Sequence, residues 1–559
     1  MRFLLCIVLL SLLVGCDKKP LAPPAQLGKL VVVTREGPAT YEIDVQGVPS
    51  GFEHDLVKLF AKEIALPVEF ITVRDYAEMS AAILEGRAHF GAGSLSPFVM
   101  LPTTVNPSNS SSASTHPSIA SSPVSSPLAE QSNQAIPTST PISISARLQA
   151  ALTTSDQPNI RELRYTAPIR ELAQVLVQHE DAPRVEEAQD LAGKTIEVLA
   201  GSAAFSTLNT LNPQPVGMRV IPLTGMSEMQ LLERVYNRQT DLAAIDSANF
   251  QIGANFFPAL QRAFVLPGKR PQVWGFRQKL VAQDEDVLYK KAEIFIARIQ
   301  KDGTLLKLVD RYFGHVQRLN QADTTQFMQK IQTVLPRYRR DFMTAQELNG
   351  VDWRLIAALA YQESHWDPLA TSFTNVRGMM MLTEDTADHL KVDDRLNPRE
   401  SILGGARYFS DLRDQLPFEI KEPDRTWIAL GAYNLGMGHM NGGRSIAKAL
   451  KRDANSWYDL KQVLPLMSRP EYAARLKSGS ARGGEAVIMV ENIRTYYDIL
   501  VRHEKTTVPP ESFSSSTSSS ANAPVAKRSG MGLSMPSSKP QLPHSPQSPL
   551  APPYKGATP

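Results

Sequence analysis

The chain has 559 residues, 42% of them hydrophobic and 21% charged, enough for two or three domains with sizeable cores. Its 59 Lys and Arg exceed its 56 Asp and Glu by only 3, so no concentrated basic face is indicated and no nucleic-acid partner is expected. Both Cys, at positions 6 and 16, lie at the N-terminus, which excludes disulfides and thiolate chemistry from the folded part.

Arg2 is followed by an apolar run from Phe3 to Val14 that ends at Gly15-Cys16. A positive start, a short apolar core and a small residue at the break read as a secretory signal over 1–15, too short to span a bilayer. Residues 16–26 read as a tether. Leu13-Val14-Gly15-Cys16 resembles the bacterial lipoprotein processing box. That resemblance implies a lipid on Cys16 and a chain anchored to a membrane on its periplasmic side. Asp17 resembles the signal that keeps some lipoproteins in the inner membrane, against the outer-membrane location that the family described below implies.

Residues 27–320 then read as α/β. Leu30-Val31-Val32-Val33-Thr34 is a continuous apolar, β-branched run, the pattern of a buried parallel strand. Phe52 to Ala65 carries apolar residues at helical spacing, and Val68 to Val73 is the next strand. The rhythm stops at a low-complexity insert, 97–157, rich in Ser, Thr, Pro and Ala, whose composition cannot offset the entropy of ordering. It resumes with a strand at Thr195 to Leu199, a helix from Met229 to Tyr236 and a strand at Leu242 to Ile245.

Gly51-Phe52-Glu53-His54-Asp55-Leu56, Tyr165-Thr166-Ala167-Pro168, Asp190-Leu191-Ala192-Gly193-Lys194, Thr240-Asp241-Leu242 and Asp302-Gly303-Thr304 to Tyr312-Phe313-Gly314 resemble, in order and spacing, family-3 periplasmic solute-binding proteins. The resemblance implies a two-lobed clamp interrupted by the insert. Such a clamp needs an Arg for a carboxylate, an Asp for an ammonium and free backbone N–H groups. Arg35, Gly201, Ser202 and Asp241 are the candidates for a muropeptide or amino-acid effector. In the blander reading Arg35 is merely solvated and Asp241 turns a loop. The arginine that relatives carry near the insertion point has no clear equivalent among Arg147, Arg161 and Arg164.

Residues 325–505 change to helical periodicity broken by Gly, Asn and Pro, with a weak strand pattern at 418–420. Ile356, Leu359, Ala360 and Glu363 fall on one helical face. A carboxylate there is either paired or raised in pKa, and a raised pKa suits a general acid. Asp367-Pro368 ends the helix and leaves Glu363 at its rim.

Ala360-Tyr361-Gln362-Glu363-Ser364, Gly378-Met379-Met380-Met381-Leu382-Thr383 and Ala432-Tyr433-Asn434-Leu435-Gly436 resemble the signature blocks of family-1 lytic transglycosylases, although the usual glutamine of the second block is absent. The whole chain is thus expected to be an α/β two-lobed periplasmic-binding-protein-like domain followed by a mostly α lysozyme-like domain. The resemblance implies a peptidoglycan lytic exotransglycosylase, with Glu363 as acid and base in closing a 1,6-anhydro ring. It also implies sugar-binding or orienting roles for Ser364, Met379, Met380, Tyr433, Asn434 and Tyr496, with Tyr496 as a hydrogen-bond partner of Glu363 and Ser364 as a partner of Glu363 or of the sugar. Trp366 suits either sugar stacking or the core. His365 and His439 lack a metal-ligand spacing, so neither metal nor cofactor is expected. A lysozyme-like hydrolase and a non-catalytic sensor lipoprotein remain as alternatives. Residues 506–559 form a Ser/Pro tail.

Overall fold

The computed structural model describes residues 20–43, 47–97, 163–211, 216–278, 283–477 and 479–504. The signal 1–15, Cys16, Asp17, the insert beyond residue 97 with Arg147 and Arg161, and the tail 506–559 lie outside the described residues. The chain divides into two compact units. The first takes in 1–41, 53–250 and 260–299, and the second 42–52, 251–259 and 300–559.

In the first unit β1 (Leu30–Arg35) is buried along its whole length, as its β-branched run requires. The two-residue strands β2 (Glu42–Ile43) and β3 (Pro49–Ser50) that follow it in sequence count with the second unit and pair with each other. β1 lies between β4 (Val68–Val73) and β5 (Phe90–Leu95), parallel to both. A second parallel set follows: β8 (Thr195–Leu199), β9 (Arg219–Leu223) and β10 (Leu242–Asp246). β7 (Arg170–His179) runs antiparallel to β10. β11 (Leu260–Arg277) joins the two sets, pairing with β7 through its first two thirds and with β5 through Val273 and Gly275. The sheet order is β4-β1-β5-β11-β7-β10-β8-β9, with β6 (Leu163–Tyr165) on the end of β11. The parallel strands of both lobes end at one cleft, lined by Ser94, Leu199, Ser202 and Asp246 among others. This is the two-lobed periplasmic-binding-protein-like arrangement. β5 and β6 flank the insert and both pair with β11, so the chain leaves and re-enters the sheet at neighbouring points. Closing a long loop between such points adds little entropy, because the cost grows only with the logarithm of length.

The second unit is mostly helical and lysozyme-like. Its central helix, Trp353–Ser364, is buried at every residue from Trp353 to Tyr361. Asp352 caps its start by accepting from Arg354 N–H at 2.9 Å. At its end His365 and Trp366 take positive φ (54° and 60°), and Trp366 folds back so that its indole N–H donates to Ala357 O at 2.8 Å. Trp366 is therefore core, and the reversal leaves the last turn of the helix at the surface. The helix Thr304–Phe313 makes its polar contacts inside this unit: Arg494 donates to Arg311 O at 2.7 Å, and Lys461 pairs with Asp310 at 2.6 Å. No strand forms at 418–420, where the chain turns with Phe418 exposed.

Candidate active site

Three side chains at the end of the Trp353–Ser364 helix emerge from the core: Gln362, Glu363 and Ser364 are partly exposed after nine buried residues. Gln362 and Glu363 open onto a cleft of about 230 Å³, shared with Asn434, Glu485, Ile488 and Met489. Among the described residues no hydrogen bond or ion pair reaches the Glu363 carboxyl. Desolvation by the packed helix therefore acts unopposed and pushes its pKa up to about 8. At neutral pH the group holds its proton while facing an open cleft, the state a general acid needs.

The loop beside it is tied down by two hydroxyls. Ser364 donates to Met379 O at 2.8 Å and lies 3.1 Å from Ala360 O, while Tyr433 donates to Met380 O at 2.9 Å. Met380 N–H in turn donates to Ser401 Oγ at 3.1 Å. The loop can pass this closely only because Gly378 has φ +84° and no Cβ; a Cβ there would lie 1.8 Å from Arg395 O. Tyr433 sits near enough to Glu363 to feel its charge, which adds to burial in raising the phenol well above its ordinary pKa.

Several expected site residues are placed differently. Met379 and Met380 have no exposed surface, and Met380 packs against Gly405, so neither thioether can meet a sugar as the loop stands. Ser364 turns its hydroxyl to backbone carbonyls, not to Glu363. Tyr496 is buried among Phe327 and Tyr361, with ring centroids 4.5 and 4.8 Å away, and makes no hydrogen bond to Glu363 among the described residues. Asn434 is exposed and lines the cleft with Glu363.

Gln362, Glu485, Ile488 and Met489 also line the cleft, and sequence reasoning did not find them. The last three belong to the helix Gly483–His503, whose start is brought close by Gly483; a Cβ there would sit 2.0 Å from Leu464 O. The pair Gly483-Gly484 opening a long helix was the one signal in the sequence.

In the first unit the effector candidates are largely occupied. Arg35 is buried and binds Glu228 with its two terminal guanidinium nitrogens, at 2.5 and 3.1 Å, while stacking 3.9 Å over Tyr76. It is not free to take an effector carboxylate. Ser202 caps the helix Ala203–Asn209 by accepting from Phe205 N–H at 3.1 Å, and Gly201 takes φ +78° beside Tyr76. Asp241 is exposed at the start of β10, the end away from the cleft. Of the two acids at the ends of this strand, the one that lines the cleft, beside the Arg35-bound Glu228, is Asp246. It accepts from Asn249 N–H at 2.9 Å, and burial raises its pKa. Among the described residues no group of three or more His, Cys, Asp and Glu is placed to hold a metal ion. Among the described residues no helix is long and apolar enough to cross a membrane.

Residues 341–456 match the Transglycosylase SLT domain family. The chain is similar to the membrane-bound lytic murein transglycosylase F of Methylobacillus flagellatus, with 36% identity over 514 residues covering 91% of this chain and 96% of that one. The protein of the same description from Thiobacillus denitrificans is 37% identical over 498 residues, covering 89% and 93%. Among solved structures, the amino acid ABC transporter substrate-binding protein AbpA from Streptococcus pneumoniae, bound to L-arginine, is similar at 14% identity and a TM-score of 0.36. That match covers 52% of this chain and 96% of the other.

Proposed function

The chain belongs to the membrane-bound lytic murein transglycosylase F family and is a lytic transglycosylase acting on peptidoglycan; from that premise we propose that Glu363 is its catalytic carboxyl and that the products carry 1,6-anhydromuramoyl ends. One observation carries the proposal: a carboxyl with no partner among the described residues, held protonated by desolvation, at the edge of an open cleft.

The glycosidic bond between N-acetylmuramic acid and N-acetylglucosamine breaks as Glu363 gives its proton to the leaving oxygen. Positive charge develops at C1 of the muramoyl sugar, where its own acetamido oxygen supports it. The C6 hydroxyl then closes onto C1 and returns its proton to the Glu363 carboxylate. Bonds and protons balance without water. One carboxyl serves both steps, whereas ordinary glycosidases divide them between two. In this reading Asn434, which lines the cleft, hydrogen-bonds the acetamido group, and Tyr433 and Ser364 hold the loop beside Glu363 through Met380 O and Met379 O.

Cys16 is the lipid-bearing residue in this reading, after removal of 1–15, and holds the enzyme on the periplasmic side of the outer membrane. Asp17 favours inner-membrane retention as the second reading. A muropeptide or amino-acid effector in the cleft of the first unit would rely on Asp246, Gln174 and Arg270 in place of Arg35. Mass analysis of peptidoglycan digested by the mature chain tests the chemistry: anhydro ends are one water lighter than the reducing ends a lysozyme-like hydrolase leaves.

A further inference from the structure

The chain just ahead of β1 is strapped to the first unit. Leu21 N–H donates to Gly86 O at 2.9 Å. His89 accepts from Val31 N–H at 2.9 Å through Nδ1 and meets Ala22 O at 3.0 Å through Nε2. A ring whose Nδ1 accepts carries its proton on Nε2, so the second contact is a hydrogen bond donated to Ala22 O. Pro24 is buried at the start of a single helical turn, Pro24–Leu27, which Gly28 ends at φ +72°. Pro20 lies against Gly86, where a Cβ would come within 2.6 Å of it.

The strap shortens the leash. Leu21 stands five residues after Cys16, and an extended chain spans at most about 3.6 Å per residue, so the two are within roughly 18 Å. Without the strap the free chain would run fourteen residues to Leu30, a reach of about 50 Å.

Topology tells which end of the unit the leash holds. β1 and β5 begin beside the strap, at Leu30 and Phe90, and β5 ends at the cleft near Ser94. β8 and β10 also end at the cleft, so their starts lie at the opposite pole, together with the end of antiparallel β7 at His179. β11 spans the two poles. Leu260 pairs with His179 at one end, while at the other Gly275 pairs with Gly91 and Arg277 reaches Gly86. Its 18 residues, at about 3.3 Å each and shortened by bulges, put the poles roughly 50 Å apart.

We propose that the first unit stands on a phospholipid surface by its strap pole, with the Glu85–His89 turn against the headgroups and the 180–194 connection pointing away from the membrane. The proposal rests on Cys16 being lipidated. The cleft is then held about one strand length, roughly 20 Å, above the strap pole.

The test uses the full mature lipoprotein in vesicles of phosphatidylethanolamine and phosphatidylglycerol with a headgroup-labelled acceptor lipid. A donor dye is placed at Glu85→Cys or Arg184→Cys, both exposed surface positions at opposite poles. Cys6 and Cys16 are the only natural cysteines, the first removed with the signal and the second acylated, so each variant carries one free thiol. Energy transfer at least fivefold greater from position 85 than from position 184 is expected. A ten-residue Gly/Ser insertion ahead of Pro20 is expected to lower the transfer from position 85 at least twofold. Equal transfer from the two positions, or transfer unmoved by the insertion, overturns the proposal in protein that floats with the vesicles. Protein that fails to float, and floats no better than Cys16→Ser, instead removes the lipidation on which it rests.

Discussion

Replacing Glu363 by Gln removes a carboxyl that the fold holds at about 8 against 4.5 for an ordinary glutamate. The folded chain therefore binds this proton more tightly than the unfolded chain, and the stability it confers is fully present below pH 4.5. That stability is lost progressively as pH rises to about 8 and stays lost above. Each pKa unit corresponds to about 1.4 kcal/mol, giving a ceiling near 5 kcal/mol. Partial exposure of Glu363 to cleft water reduces the expected effect to about 2 kcal/mol. Gln is close in shape and carries no titrating group, so the variant should match the parent at pH 4 and exceed it at pH 9. In a unit of this size that corresponds to roughly 5 °C in the melting temperature. Thermal unfolding of both proteins from pH 4 to 9, following the transition of the second unit, measures it. A difference that does not change with pH, or a variant less stable at pH 9, refutes the desolvation argument.

The rate should follow the same proton: kcat/KM is expected to fall on the alkaline side with an apparent pKa near 8, and a fall already complete below pH 6 would contradict a protonated Glu363 as the acid. Arg35→Ala leaves Glu228 buried without its cation and should cost about 3–5 kcal/mol in denaturant unfolding of the first unit, whereas a loss under about 1 kcal/mol would mean the pair is not desolvated. Gly378→Ala drives a Cβ into Arg395 O and should destabilise by more than about 3 kcal/mol and lower activity at least tenfold. Gly303→Ala has a similar φ of +81° but open space, and should cost only about 1 kcal/mol with activity kept.

Local chemistry was legible wherever a run carried its own burial. Val68–Val73 and Thr195–Leu199 form the strands that their β-branched pattern predicts, and the rim position of Glu363 follows from the apolar face beneath it. What depends on partners distant in sequence was not legible. Nothing around Arg35 announces Glu228, almost two hundred residues away, and the pairing turns an apparent ligand group into a structural one. β11 runs on through Pro267, Gly268 and Pro271, residue types that ordinarily interrupt a strand; the first two fall in a register shift and Pro271 pairs with Glu171 of β7. Asp241 and Asp246 lie at the two ends of one strand, and only the direction of β10 relative to the cleft decides between them. Met379 and Met380 stand in a block whose resemblance implies contact with the sugar. The close approach of Gly405 and the hydroxyls of Ser364 and Tyr433 draw the loop in until both side chains are core.

In the proposed reaction Glu363 alone moves both protons and no water enters. Mass spectrometry of purified peptidoglycan after digestion by the mature chain, run beside Glu363→Gln, tests it most directly. The parent should release 1,6-anhydromuropeptides and the variant none above background. Reducing-end products from the parent, or turnover unchanged in Glu363→Gln, would contradict it.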